Sequence, residues 1–194
     1  MKHLIFIYDY TCPYCYVMFS EMKRLKAKYA VKIYWVPIEI FTQVPQQGIA
    51  LASIFSPRKL KKTQALIENI AHEKNIPFYQ PKQLYNTRIA NLLTAYAGRK
   101  RNTTEVVEAL FNNVFVYNKN IGDLETIRKI CIAVDIDFEK FESEMHKGLL
   151  DEINKGWKDQ FQEKEFQVVP MMITMENTLI QGVCSFEELV KMIE

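Results

Sequence analysis

Cys12 and Cys15 stand two residues apart in the stretch YDYTCPYCYV, residues 8–17, immediately after a run of strand-forming residues. Two thiols at that spacing admit three readings: a redox pair, half of a metal site, or two inert buried cysteines. The first depends on where the pair sits. A helix N-terminus carries unpaired N–H groups and about half a positive charge, so a thiolate placed there is stabilised over the thiol. Pro13 suits a first helical turn, which puts Cys12 at the helix start and Cys15 one turn deeper. Cys-x-x-Cys thiols have pKa values of about 3.5 to 7.5 against about 8.5 for a free cysteine. Cys12 is then expected to be the nucleophile and Cys15 the thiol that resolves its mixed disulfide.

The remaining chemistry-bearing residues narrow the choice. A zinc site needs four ligands, and Cys131, Cys184, His3, His72 and His146 show no second paired spacing, so no metal is expected. Inert thiols fit poorly, because Cys12 should lie at an exposed turn. Cys131 falls on the apolar stripe Leu124, Ile127, Ile130, Cys131, Val134 and reads as a core thiol. Cys184 precedes a helix cap at a strand end and reads as packing or a secondary redox thiol. The isolated histidines read as surface or packing groups. Asp9 reads first as a turn residue satisfying backbone donors at the strand end. Tyr10, Tyr14 and Tyr16 form either an apolar lip around the thiols or ordinary packing.

The elements that must position the cysteines are legible on both sides. Leu4 to Asp9 is a short apolar run suited to a buried strand. Cys15, Met18, Phe19, Met22, Leu25 and Tyr29 then recur at helical intervals, with Glu21, Lys23, Arg24, Lys26 and Lys28 off the stripe. VKIYWVPIEI (31–40) reads as a second strand until Pro37. Strand, helix, strand is a βαβ unit whose right-handed crossover makes the strands parallel.

From about Pro57 to Gly148 helical patterns follow one another: KLKKTQALIENIAHEK, TRIANLLTAYAGRK, TEVVEALFNNVFVYN, LETIRKICIAV and FEKFESEMHKGLL. Asn102, Thr103 and Asp123 occupy N-cap positions. We expect an all-helical insertion over residues 43–148, with residues 1–42 and 149–194 forming the rest of the fold. LDEINKGWKDQFQEK reads as one more helix, and VVPMMITM and TLIQGV as a hairpin turning at Glu176 and Asn177. Ser185 and Glu188 make a capping box before a final helix.

At 194 residues, 48% hydrophobic and 25% charged, the chain suits a soluble globular protein of one sizeable domain or a small domain carrying an insertion. A formal charge of +2 is too small to suggest nucleic acid, and RKLKK (58–62) and GRKR (98–101) read as solvated helix faces. MKHLIFIYDY lacks the length and cleavage site of a signal peptide, and nothing approaches the ~20 apolar residues of a membrane span. The expected compartment is the cytoplasm, where thiols are kept reduced.

With DYTCPYCY near the start and VVP (168–170) before a hairpin and final helix, the chain resembles the DsbA-like thioredoxin superfamily. NTRIANLLTAYAGRKRNTTEVVEALFNNVFVYNKNIGD and IRKICIAVDIDFEKFESEM are similar to the insertion of its FrnE-type branch. The resemblance implies an α/β thioredoxin fold with a helical insertion. It also implies that Pro170 is cis against the Cys-x-x-Cys, with Val169 pairing its backbone to substrate and Pro13 and Tyr14 lining the same surface. Asp9 matches an aspartate common in the FrnE-like and isomerase branches, whereas Phe6 stands where DsbA itself has a glutamate, leaving the proton acceptor unassigned. Pro13-Tyr14 is also the glutaredoxin dipeptide.

Two function classes follow. One is a thiol-disulfide oxidoreductase acting on protein or small-molecule disulfides. The other is a glutathione-dependent isomerase or transferase, like hydroxychromene-carboxylate isomerases and kappa-class transferases, which share N[ST]xxA, here Asn86 to Ala90. Those relatives typically carry serine at the Cys12 position, so two cysteines favour redox chemistry. No bound cofactor is expected, glutathione enters as a co-substrate, and the oligomeric state stays open.

Overall fold

A computed structural model describes residues 1–100, 102–162 and 168–194. Its framework is set by β1 (Lys2–Tyr8), α1 (Pro13–Lys28) and β2 (Val31–Pro37). β1 and β2 pair in parallel from Lys2↔Val31 to Tyr8↔Pro37, with α1 as the crossover. The strands β5 (Met171–Thr174) and β6 (Leu179–Gln181) complete a sheet of order β2-β1-β5-β6, β5 running antiparallel to both neighbours. The hairpin turns through Asn177 at φ 66°, a left-handed position that asparagine tolerates. α8 (Phe186–Ile193) closes the chain behind the complete Ser185–Glu188 capping box.

Between β2 and β5 lie β3 (Ile49–Ala50), α2 (Pro57–Glu73), β4 (Gln83–Leu84) and α3 (Arg88–Gly98), then α4 (Thr103–Phe115), α5 (Leu124–Ala133), α6 (Phe138–Met145) and α7 (Leu149–Gln162). The expectation of an all-helical stretch is corrected here. β3 and β4 pair antiparallel, and Leu51–Ser53 is a 3-10 turn. Two-residue strands are too short to display a period of two, so the helical pattern around them hides them. The run FEKFESEMHKGLL also divides: α6 ends at Met145, Gly148 takes φ +79°, and Leu149 opens α7. Of the last helical pattern, Glu163 and Lys164 lie outside the described residues, as does Arg101 of the second basic run.

Alternation along β1 divides its side chains between two faces. Leu4, Phe6 and Tyr8 enter the main core with α1, α3 and α4, whereas Ile7 joins Val36, Met171 and Ile173 beneath Trp157 of α7. Phe111 of α4 is the hub of the main core, its ring tilted against those of Tyr8, Tyr10, Tyr16 and Phe19. Two residues, one in α1 and one just after it, depart from the expected stripe. Glu21 is buried because Lys74 and Arg24 pair with its carboxylate, and Tyr29 is exposed because it follows the last helical turn. No helix of the described residues is long and apolar enough to cross a membrane.

Asp123 and Asp137 cap α5 and α6 by accepting from Thr126 N–H and Lys140 N–H. Asn102 sits at the start of α4 but sends its amide to the Val134 carbonyl instead. These arrangements set a measurable hierarchy. Phe111→Ala should cost about 4 kcal/mol, because a large ring leaves a core that cannot collapse around it. Asp123→Ala should cost about 1 kcal/mol through the lost cap. Urea unfolding of both variants tests the order, and equal losses would contradict the core described here.

Candidate active site

The turn between β1 and α1 is built around Asp9. Its Oδ1 accepts from Thr11 N–H and Thr11 Oγ1, both at 2.7 Å, and its Oδ2 accepts from Ile40 N–H at 2.8 Å. The Asp9 carbonyl accepts from Cys12 N–H at 3.1 Å, so the same residue fixes where the helix can begin. Cys12 is the N-cap of α1, with extended dihedrals and Pro13 in the first turn. Its carbonyl takes the Tyr16 N–H at 3.2 Å, opening the helical ladder.

Cys12 is half-buried and Cys15, one turn further, is wholly buried; both are free thiols. Burial pushes the Cys15 thiol well above the ordinary cysteine range, and the adjacent Cys12 thiol pushes it further. The Val169–Pro170 peptide is cis, and the Cys12 Sγ lies 3.9 Å from the Val169 carbonyl oxygen. Pro170 is buried and its carbonyl accepts from Gly182 N–H at 2.8 Å, tying this loop to the end of β6. The structure thus brings Cys12, Cys15, Pro13, Tyr14, Val169 and Pro170 to one end of the sheet.

Beneath the cysteines runs a chain of hydroxyls that the sequence did not announce. Tyr8 and Tyr10 meet Oη to Oη at 3.0 Å, Tyr10 Oη meets Thr94 Oγ1 at 2.6 Å, and Thr94 Oγ1 donates to the Ala90 carbonyl at 3.0 Å. Burial raises the pKa of both phenols, Tyr10 being pushed up beyond the ordinary range, and Cys15 adds to the effect at Tyr8. These phenols stay protonated and serve as hydrogen-bonding packing. Of the two readings of the three tyrosines, packing holds for Tyr10 and Tyr16 and the lip for Tyr14 alone. Tyr10 and Tyr16 are core residues, Tyr16 Oη donating to the Pro77 carbonyl at 2.6 Å, and Tyr14 alone of the three faces the cleft beside Cys12. The period-two spacing of Tyr8 and Tyr10 was the available signal, but nothing in the sequence points to Thr94.

That cleft has a volume of about 260 Å³ and is lined by Cys12, Pro13 and Tyr14 together with residues from the β2–α3 region. Asn86 of N[ST]xxA has a local duty: its amide donates to the Val44 carbonyl, and its Oδ1 accepts from Arg88 N–H. Cys131 and Cys184 are buried, and burial pushes their thiols up to about 12 and about 11. Among the described residues no group of three or more histidines, cysteines and acids is placed to hold a metal ion.

Burial raises the Asp9 pKa above the usual carboxylate range, with the Ile40 and Thr11 hydrogen bonds opposing it. The folded chain therefore binds this proton more tightly than the unfolded one. Its stabilising contribution is present below the ordinary aspartate pKa and is lost as pH rises through the raised value. Asp9→Asn should lose about 1–3 kcal/mol, because asparagine offers one acceptor oxygen where Asp9 accepts on both. The stability gap between wild type and Asp9→Asn should narrow as pH rises. Urea titrations across the acid range check this, and a gap that widens with pH would refute it.

Comparison with known proteins bears on the fold and the family. The chain is 24% identical over 185 residues to the uncharacterized protein YwbO of Bacillus subtilis (strain 168), covering 93% of this chain and 90% of that one. Its fold is similar to the crystal structure of a probable DsbA oxidoreductase from Streptomyces coelicolor, with TM-score 0.86 at 13% identity over 98% of this chain and 88% of that one. It is also similar to a 2-hydroxychromene-2-carboxylate isomerase, with TM-score 0.79 at 18% identity over 97% and 91% of the two chains. The model of the DSBA-like thioredoxin domain matches residues 3–194, and the chain belongs to that family.

Proposed function

We propose that the protein is a thiol-disulfide oxidoreductase in which Cys12 is the nucleophile and Cys15 the resolving thiol. One observation carries the reading: the half-exposed thiol is the N-cap of α1, while its partner is wholly buried one turn below. The Cys12 thiolate attacks one sulfur of a substrate disulfide, forming a mixed disulfide and releasing the other half as a thiolate. Cys15 loses its proton to solvent or to the departing thiolate and attacks Cys12 Sγ, releasing the second half. Two electrons pass from the dithiol to the substrate, and the reverse sequence oxidises a substrate dithiol.

The Val169 carbonyl beside Cys12 Sγ supports a substrate lying as an extended strand against residues 168–170. Residues 1–42 and 149–194 serve as the thioredoxin-like unit in this reading, and residues 43–148 wall the cleft. The substrate is a protein or small-molecule disulfide or thiol. In the cytoplasm the glutathione pool returns the pair to its dithiol form without a resident cofactor.

The likeness to the isomerase favours a second reading, in which the site only activates glutathione. Cys15 separates the two. Cys15→Ala should trap Cys12 in mixed disulfides visible on non-reducing electrophoresis and abolish disulfide turnover, and Cys12→Ala should remove the adducts as well. Glutathione-dependent turnover undiminished in Cys15→Ala, with no adduct, would favour the isomerase.

Alkylation of the reduced protein near neutral pH should label Cys12 first. Burial holds Cys15, Cys131 and Cys184 in the unreactive thiol form. Mass spectrometry of peptides after graded iodoacetamide exposure reads the order. Earlier labelling of any other cysteine would contradict the assignment.

A further inference from the structure

The cleft beside Cys12 is selective in shape and charge. Thr11, Pro13 and Tyr14 line it beside the cysteine, and Phe41, Phe55 and Leu84 complete an apolar lining. Its volume of about 260 Å³ falls just below the about 300 Å³ at which pockets for drug-sized ligands begin. A single ring or branched chain fits that space, and a folded protein surface does not.

Lys59 is the one charged side chain among the described residues of this lining. Its Nζ stands 4.6 Å from the Phe55 ring centroid, and no carboxylate pairs with it among the described residues. It belongs to the first turn of α2, where the helix end adds positive potential, and it is exposed like Arg58, Lys61 and Lys62, which extend the same sign. An anion carried by a group that enters the slot can pair with this ammonium, an attraction that a neutral occupant of the same shape does not gain. The basic run that reads as a solvated helix face in the sequence therefore has one member, Lys59, that lines the same cleft as Cys12.

We infer that this cleft is the subsite for a low-molecular-weight disulfide whose sulfur carries a ring-sized apolar group bearing a carboxylate, with the carboxylate held by Lys59. The inference rests on the disulfide-exchange reading of Cys12 and Cys15. Cys12 thiolate attacks the sulfur bearing the acidic arm, the substrate S–S bond breaks, and the other half departs as a thiolate. Cys15 then gives its proton to solvent and attacks Cys12 Sγ. The arm leaves as a thiolate, and the protein is left as the Cys12–Cys15 disulfide, two electrons having passed to the substrate.

Single-turnover mixing of pre-reduced protein with three disulfides tests the selectivity: 5,5′-dithiobis(2-nitrobenzoate), 4,4′-dithiodipyridine and cystamine, respectively an aryl carboxylate, a neutral aryl and a cationic alkyl compound. Lys59→Glu should lower the rate for the aryl carboxylate relative to the neutral aryl by about tenfold. Thr63→Trp, which fills the slot from α2, should lower both aryl rates relative to cystamine. Rate ratios unchanged in both variants overturn the subsite while leaving disulfide exchange intact. Binding is read without exchange by calorimetry of Cys12→Ser protein with the S-methyl ether of 2-nitro-5-thiobenzoate. Binding that Lys59→Glu abolishes supports the subsite even if Cys12 fails to exchange with any disulfide, a result that would overturn the proposed chemistry instead. No binding in the Lys59 protein overturns the subsite.

Discussion

The Asp9 carboxylate is the constraint on which the cysteine site depends. It gathers donors from Thr11 and from Ile40, which belong to the two chain segments leaving the parallel strands. With those segments joined, the Asp9 carbonyl accepts the Cys12 N–H, and α1 starts at the next residue. Pro13 removes a donor that the first turn has no use for and presets its backbone angle. Moving this start by one residue would rotate each cysteine about 100° around the helix, taking Cys12 from the cleft and Cys15 from the core.

From that register comes the division between the two thiols. Cys12 sits where the backbone N–H groups of the first turn are unpaired, and Cys15 sits one turn deeper with no exposed surface. The same separation explains the hydroxyl chain through Tyr8, Tyr10 and Thr94. Polar groups in so apolar a layer must satisfy one another, and they do so by ending on the Ala90 carbonyl. The aromatic hub at Phe111 joins α1 to α4, so the helices that follow β2 pack directly against the helix bearing the cysteines.

Features carried by local pattern were legible in the sequence. The βαβ unit, the hairpin after Pro170 and the Ser185 cap each rest on residues close together in the chain. Features created by distant contact were not. β3 and β4 are short strands brought together by chain segments more than thirty positions apart, as Ile49↔Leu84 shows. Glu21 looks like a surface residue until Lys74 arrives from another helix. Lys59 looks like one more solvated lysine until the cleft is seen beside it. Asp9 was legible as a turn residue, but its hold on Ile40 depends on β2 returning parallel to β1.

The central claim is that Cys12 and Cys15 form one two-electron couple while the other thiols stand apart. Equilibrating the protein in glutathione buffers of graded ratio, quenching with acid and measuring intact and peptide masses tests it directly. A single transition is expected, with loss of two hydrogens, a disulfide between Cys12 and Cys15, and free thiols at Cys131 and Cys184 throughout. Glutathione accumulating on Cys12 with Cys15 still reduced, or a disulfide formed through Cys131 or Cys184, would contradict it.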